Sequence, residues 1–67
     1  MARTPYFFFI YRDAKREYRW RFYAPNNRII AESGEGYVNR GDCLAAIALV
    51  KAHSPSASTE YHQSAAA

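Results

Sequence analysis

The stretch YFFFIYRDAKREYRWRFY, residues 6–23, decides the fold. Its second half, residues 17–23, alternates between ring side chains at the even positions and Arg19, Arg21 and Tyr23 at the odd ones, as in a half-buried strand. Its first half, residues 6–12, is aromatic with one branched isoleucine, which also favours a strand. The polar residues between the halves predict a turn, so the stretch predicts an antiparallel hairpin.

Matching the faces of the two strands gives their register. A three-residue loop of residues 14–16 pairs Asp13 with Glu17, and a slip of one residue would turn arginines towards the core. This loop needs Arg16 in the left-handed conformation. The pairs expected on the core side are Ile10 with Trp20 and Phe8 with Phe22.

The next segment predicts a third strand over residues 28–33. Asn26 and Asn27 favour a two-residue turn with positive φ angles before it. On the core side this turn pairs Phe22 with Ala31 and Trp20 with Ser33, and on the other side it pairs Tyr23 with Ile30.

A helix is predicted over residues 40–52, after the break at Gly34 and Gly36. Asn39 is expected at its N-cap, and Pro55 lies just beyond its end. The expected core stripe is Cys43, Ile47 and Val50, with Leu44 beside them.

The fold class is therefore α+β: a three-stranded antiparallel meander with one helix packed on one face. Residues 57–62 predict a short final strand, which gives the order β-β-β-α-β. The expected domain spans residues 6–62, between an N-terminal arm of residues 1–5 and a flexible tail of residues 63–67.

Composition narrows the classes of protein. Of 67 residues, 49% are hydrophobic and 16% aromatic, which excludes a disordered chain. No apolar run approaches the roughly 20 residues of a membrane-spanning helix, and no secretory signal is visible, so we expect a cytoplasmic protein without a membrane partner. So short a chain buries little surface, and association is the natural remedy.

Charge and rings concentrate in the same half of the chain. Residues 1–28 carry seven cationic and two acidic side chains, whereas residues 29–67 carry two and four. The candidate site is the sheet face of Phe9, Tyr11, Arg19 and Arg21, which would bind single-stranded nucleic acid by gripping phosphates and stacking bases. The alternative is cation–π packing on an ordinary solvated face, with Glu32 opposite Arg21.

No constellation predicts catalysis, a cofactor or a metal. The single cysteine, Cys43, has no histidine near it in sequence and falls on the expected core stripe. His53 and His62 are too few for a metal site within one chain. We therefore expect a non-enzymatic module with no catalytic residue, no cofactor and no metal.

The sequence resembles the YegP-like family, small bacterial and archaeal domains of unknown function. The resemblance implies a β-β-β-α-β unit, and for a chain with one unit it implies a homodimer with one continuous sheet and exchanged C-terminal strands. Arg16 and Asn27 stand where the family has turn glycines. The matching segments are Phe8-Phe9-Ile10-Tyr11-Arg12-Asp13, Tyr18-Arg19-Trp20-Arg21-Phe22, Ala24-Pro25-Asn26-Asn27, Ile29-Ile30-Ala31, Glu35-Gly36-Tyr37, Cys43-Leu44 with Ile47, and Val50-Lys51.

Overall fold

A computed structural model describes residues 5–62, and these form one three-stranded antiparallel sheet and one long helix. The predicted α+β class and meander are confirmed. Residues 1–4 of the expected arm and the expected tail, residues 63–67, lie outside the described residues. The elements are β1 Phe7–Arg12, β2 Tyr18–Tyr23, β3 Ile29–Glu32, α1 Arg40–His53 and a 3₁₀ turn Ser54–Ser56.

The β1–β2 hairpin has the predicted register. Asp13 and Glu17 close the loop, and the backbone N–H of Asp13 donates to the carbonyl oxygen of Glu17 at 2.9 Å. Arg16 has φ 67°, the left-handed conformation that the three-residue loop requires. The core-side pairs are Phe8 with Phe22 and Ile10 with Trp20.

The β2–β3 turn differs from the prediction. It is a three-residue loop of residues 25–27, in which the Ala24 N–H donates to the Arg28 carbonyl at 2.9 Å and Asn27 has φ 67°. Tyr23 therefore pairs with Ile29, and an irregularity beside it restores the predicted pairing of Phe22 with Ala31. The predicted two-residue turn and the Tyr23–Ile30 pair are wrong, because one left-handed residue followed by a bulge closes this hairpin equally well and matches its twist.

The core lies between β2 and α1. Trp20, Cys43 and Ile47 are its buried hydrophobic residues within 5–62. Ser33 is buried beside them: its Oγ accepts from the Trp20 N–H at 3.2 Å, and its own N–H donates to the Trp20 carbonyl at 2.9 Å. These bonds extend the β3 pairing by one residue on the core side, as predicted. Partly buried residues around this core are Phe8, Ile10, Tyr18, Phe22 and Tyr37.

The helix begins where predicted and ends one residue later. Asn39 occupies the N-cap position with extended backbone, but its side chain makes no capping hydrogen bond. Cys43 and Ile47 are buried as expected, whereas Leu44 and Val50 are 44% and 36% exposed. The predicted stripe was too wide, because α1 packs chiefly on the central strand and leaves residues at the sides of the stripe in solvent.

Residues 57–62 form no strand in the single chain and are exposed throughout. Ala57 has an extended backbone, at φ −73° and ψ 138°. An extended segment without a partner lacks the interstrand hydrogen bonds that define a strand. The predicted final strand is therefore not present in the single chain.

Trp20→Ala tests the centre of the core. Trp20 is buried and packs edge-on against Phe8, with ring centroids 5.5 Å apart. We expect the free energy of unfolding to fall by about 3–5 kcal/mol, measured by chemical denaturation. Phe9→Ala, which truncates a half-exposed ring on the other side of the sheet, should cost much less. Equal losses in the two variants would contradict this assignment of the core.

Arg16→Gly tests the strain in the first turn. A glycine at φ 67° avoids the clash of Cβ in the left-handed region, and this outweighs the greater entropy of glycine in the unfolded chain. We expect the free energy of unfolding to rise by about 0.5–1 kcal/mol. Ala14→Gly, in the same loop but without a positive φ, should lower it. A loss of stability in Arg16→Gly would show that the arginine side chain contributes more than the strain costs.

Candidate functional site

The four predicted site residues lie on the side of the sheet opposite α1, which we call the open face. Alternation along β1 and β2 places Phe9, Tyr11, Arg19 and Arg21 there, with Tyr11 directly opposite Arg19 and Phe9 opposite Arg21. The structure therefore brings together the residues that the sequence singled out. Phe7, Tyr23 and Glu32 belong to the same face.

The aromatic side chains of the open face form a continuous row. Phe9 and Tyr11 are stacked with centroids 6.1 Å apart, and Phe9 meets Tyr23 edge-on at the same distance. Tyr23 is in turn stacked on Phe7 at 5.0 Å. These rings cover one another, and Phe9 is the most exposed described ring of the row at 46%.

Arg21 is held inside this row. Its Cζ lies 4.8 Å from the centroid of the Tyr11 ring, and its Nη1 donates to the Tyr23 hydroxyl at 3.4 Å. That hydrogen bond raises the pKa of Arg21. The Nε lies 3.4 Å from Oε1 of Glu32, close enough for charge attraction, although it is buried without a hydrogen bond. Arg21 therefore lies between two aromatic residues, Tyr11 and Tyr23, and the carboxylate of Glu32.

Arg19 is bound still more tightly, to Asp13. Its Nε donates to Oδ2 of Asp13 at 2.6 Å. The other carboxylate oxygen of Asp13 accepts from the N–H groups of Lys15 at 2.9 Å and Glu17 at 3.0 Å. The hydrogen bond from the Glu17 N–H, and after it the one from the Arg19 guanidinium, are the main reasons why the pKa of Asp13 is lowered. The same hydrogen bond to Asp13 raises the pKa of Arg19.

The two arginines of the open face are therefore each balanced by a carboxylate. The sequence indicated Glu32 opposite Arg21 but missed Asp13, which reads as a turn residue. The signal was present, because Asp13 follows Tyr11 by two positions and so shares its face with Arg19. The open face is a neutral aromatic surface and not the basic stripe that its arginines suggest.

Two hollows flank the sheet. One, of about 310 Å³, lies on the open face and is lined by Phe7, Phe9, Tyr23 and Asn27. The other, of about 300 Å³, lies on the opposite side, between the sheet and the end of α1. We call it the helix-end cleft, and its lining residues are Phe8, Phe22, Ala31, Val50, Lys51 and Ser54.

Reactive and metal-binding groups are sparse in the described part of the chain. Cys43 is fully buried, and burial raises the pKa of its thiol, which disfavours the reactive thiolate. Residues 5–62 contain no cluster of three or more histidine, cysteine or acidic side chains placed to bind a metal ion. Nor does this part of the chain contain a helix that is long and apolar enough to span a bilayer.

Comparison with known proteins identifies relatives of the same size. Residues 13–60 match the model of a family described as Domain of unknown function (DUF1508). The UPF0339 proteins NMB1088 and NMA1193/NMA1859, from serogroups B and A of Neisseria meningitidis, are each 53% identical over 45 residues, covering 67% of this chain and 79% of theirs. An NMR solution structure of a protein from Haloferax volcanii superposes with a TM-score of 0.80 at 35% identity, over 85% of this chain and 95% of that one. These matches confirm the resemblance to the YegP-like family.

Asp13→Asn tests the carboxylate that holds Arg19. Because the folded state lowers the pKa of Asp13, its contribution to stability is present above the unfolded value of 3.8 and is lost as pH falls through the lower folded value. We expect Asp13→Asn to melt below wild type at pH 7, and the two melting temperatures to converge below about pH 4.

The control is Asp42→Asn, which removes the same charge from the first turn of α1. Because this variant retains Asp13, its stability should fall in acid by as much as that of the wild type. A constant difference between Asp13→Asn and wild type from pH 7 to about pH 3 would contradict a role for the Asp13 charge.

Proposed function

The chain belongs to the family described as Domain of unknown function (DUF1508), and from this premise we propose that it is a small non-enzymatic module that works in the cytoplasm as a homodimer. The proposal rests on the apolar surface that a single copy of the chain leaves exposed to solvent. The feature that carries it is the helix-end cleft, an apolar hollow at the boundary of the core.

The single chain buries too little of its apolar surface. Three hydrophobic residues are buried among residues 5–62, while large side chains remain in solvent on both β3 and α1. Domains of this size commonly gain the missing burial by association. The exposed residues concerned are Ile29, Ile30, Leu44, Leu49 and Val50.

The helix-end cleft suits the C-terminal segment of a second copy. Ser54 lines the cleft, and the exposed segment of residues 57–62 begins three positions after it. The chain's own segment does not return to the cleft, because Tyr61 is 86% exposed. In the proposed dimer each chain exchanges residues 57–62, which pair as a strand with the partner and carry Tyr61 onto its apolar surface.

The non-enzymatic part of the proposal follows from how the polar groups are used. On the open face Arg19 is hydrogen-bonded to Asp13 and Arg21 forms an ion pair with Glu32, and the thiol of Cys43 is enclosed in the core. A catalytic site needs a nucleophile or base aimed at a substrate, and these groups are aimed at each other.

Single-stranded nucleic acid binding on the open face is the second candidate function. The observation that favours it is the Phe9 ring, which is 46% exposed at the end of the stack on Tyr11, because nucleobases stack on such rings without regard to sequence. The pairing of Arg19 and Arg21 with carboxylates counts against phosphate contacts at those two residues, so this candidate ranks below the dimeric module.

Sedimentation equilibrium of the intact chain at micromolar concentration tests the dimer. We expect twice the 7.7 kDa mass of one chain. Tyr61→Ala should weaken dimerisation at least tenfold, since the exchanged segment loses its largest apolar side chain, and deletion of residues 57–67 should weaken it further. His62→Ala, at the neighbouring exposed position, is the control and should change it little. A monomer at every concentration, or equal effects of the two alanine variants, would contradict the exchanged arrangement.

A further inference from the structure

We propose that the loop joining β1 to β2 is an anion-binding tip, in which Arg12, Lys15 and Arg16 contact the phosphates of single-stranded nucleic acid. This inference deepens the second candidate function and rests on it. It moves the phosphate contacts from Arg19 and Arg21, where the sequence placed them, to the end of the hairpin.

The three cations of the tip are available to a ligand. Arg12, Lys15 and Arg16 are exposed, and none of them forms an ion pair with any residue of 5–62. They lie within five positions of one another, so three positive charges are concentrated on one short loop. Closely spaced unpaired cations create a local field that attracts phosphate.

The cations are also displayed from a well-ordered backbone. The guanidinium of Arg12 donates to the Arg16 carbonyl at 3.2 Å and lies 5.1 Å from the centroid of the Tyr18 ring. Asp13 closes the loop by accepting from two backbone N–H groups. The guanidinium of Arg12 is thus held in position and loses less entropy on binding than a free side chain does, while Lys15 and Arg16 are exposed beside it.

Of the two acids of the same loop, Asp13 is paired with a cation outside the tip and Glu17 extends towards the connection before α1. Asp13 is engaged by Arg19 on the open face. The side chain of Glu17 lies directly over Gly36, in the connection before α1, where a Cβ at residue 36 would collide with it. Neither carboxylate forms an ion pair with Arg12, Lys15 or Arg16, so the three cations outnumber the acids at the tip.

Single-stranded nucleic acid fits this arrangement better than other polyanions. The rings of Tyr11 and Phe9 lie on the open face, next to the loop that carries Lys15 and Arg16, whereas Arg12 lies on the other side of the same loop, over Tyr18. A single strand can place phosphates at the tip and stack unpaired bases on these rings. The bases of a duplex are already stacked on one another, and an anionic lipid surface has no bases. Neither of these polyanions can therefore contact both the cations of the tip and the rings of the open face.

The test is fluorescence anisotropy of a labelled oligothymidylate of about ten nucleotides, titrated with the full chain. Three phosphate contacts predict a slope of log affinity against log salt of about −2, or roughly a twentyfold loss between about 50 and 200 mM salt. The triple variant Arg12→Gln, Lys15→Gln, Arg16→Gln should bind at least about tenfold more weakly at the lower salt and lose most of this slope.

The matched control is Asn26→Asp, Arg28→Gln, Arg40→Gln, which also lowers the net charge by three from its value of +3 and leaves the lining of the helix-end cleft unchanged. It changes exposed residues outside the tip and should stay within about threefold of wild type. Equal weakening of the two triple variants would overturn the inference, since it would show that overall charge decides binding. Equal or tighter binding to anionic lipid vesicles than to the oligonucleotide would overturn the choice of nucleic acid.

The failure of the inference and that of the nucleic-acid candidate are distinguishable. If the wild type binds no oligonucleotide at low salt, both fail. If it binds, and Phe9→Ala weakens binding while the tip variant does not, the open face binds nucleic acid and the tip inference alone is overturned. Sedimentation of the tip variant should still give the mass of the wild-type protein, which separates both from the proposed dimer.

Discussion

The side chain of Asp13 is the point on which the rest of the fold depends. It accepts hydrogen bonds from the N–H groups of Lys15 and Glu17 and from the guanidinium of Arg19, so it closes the loop and ties it to β2. The closed loop holds the register of the hairpin. That register turns Trp20 towards the helix, and a slip of one residue would bring arginines there instead.

The same bond shapes the surface on the other side of the sheet. By engaging Arg19, Asp13 balances the charge of one of the two cations on the open face, and Glu32 does the same for Arg21. The net charge of the sequence therefore does not predict the charge of this surface. The N-terminal half of the chain is basic, yet the open face of its sheet is neutral. The unpaired cations of the hairpin, Arg12, Lys15 and Arg16, lie at its tip, where Asp13 is engaged by Arg19.

Much of this structure could be predicted because ring and arginine positions alternate so regularly. The β1–β2 register followed from matching faces, and the start of the helix followed from Asn39 and the glycines before it. The second turn could not be predicted, since Asn26-Asn27 suits loops of two or three residues that differ only in where a bulge falls. The exposure of Leu44 and Val50 depends on where the helix lies across the sheet, which periodicity alone does not determine.

The structure brings the four predicted site residues onto one face, but pairing with carboxylates, which the sequence showed only in part, decides how much of their charge remains. Phe9, Tyr11 and Arg21 do come together, while Asp13 was missed as the partner of Arg19. The strand predicted over residues 57–62 is absent from the single chain, where this segment has no neighbouring strand to pair with.

The most direct test of this account is a double-mutant cycle between Asp13 and Arg19. Asp13→Asn, Arg19→Gln and the double variant are compared with wild type by chemical denaturation at pH 7 and low salt. The account predicts that the two losses are not additive, with the double variant losing clearly less stability than the sum of the single variants. Additive losses would show that the two side chains act independently and would contradict the claim that Asp13 holds Arg19 on the open face.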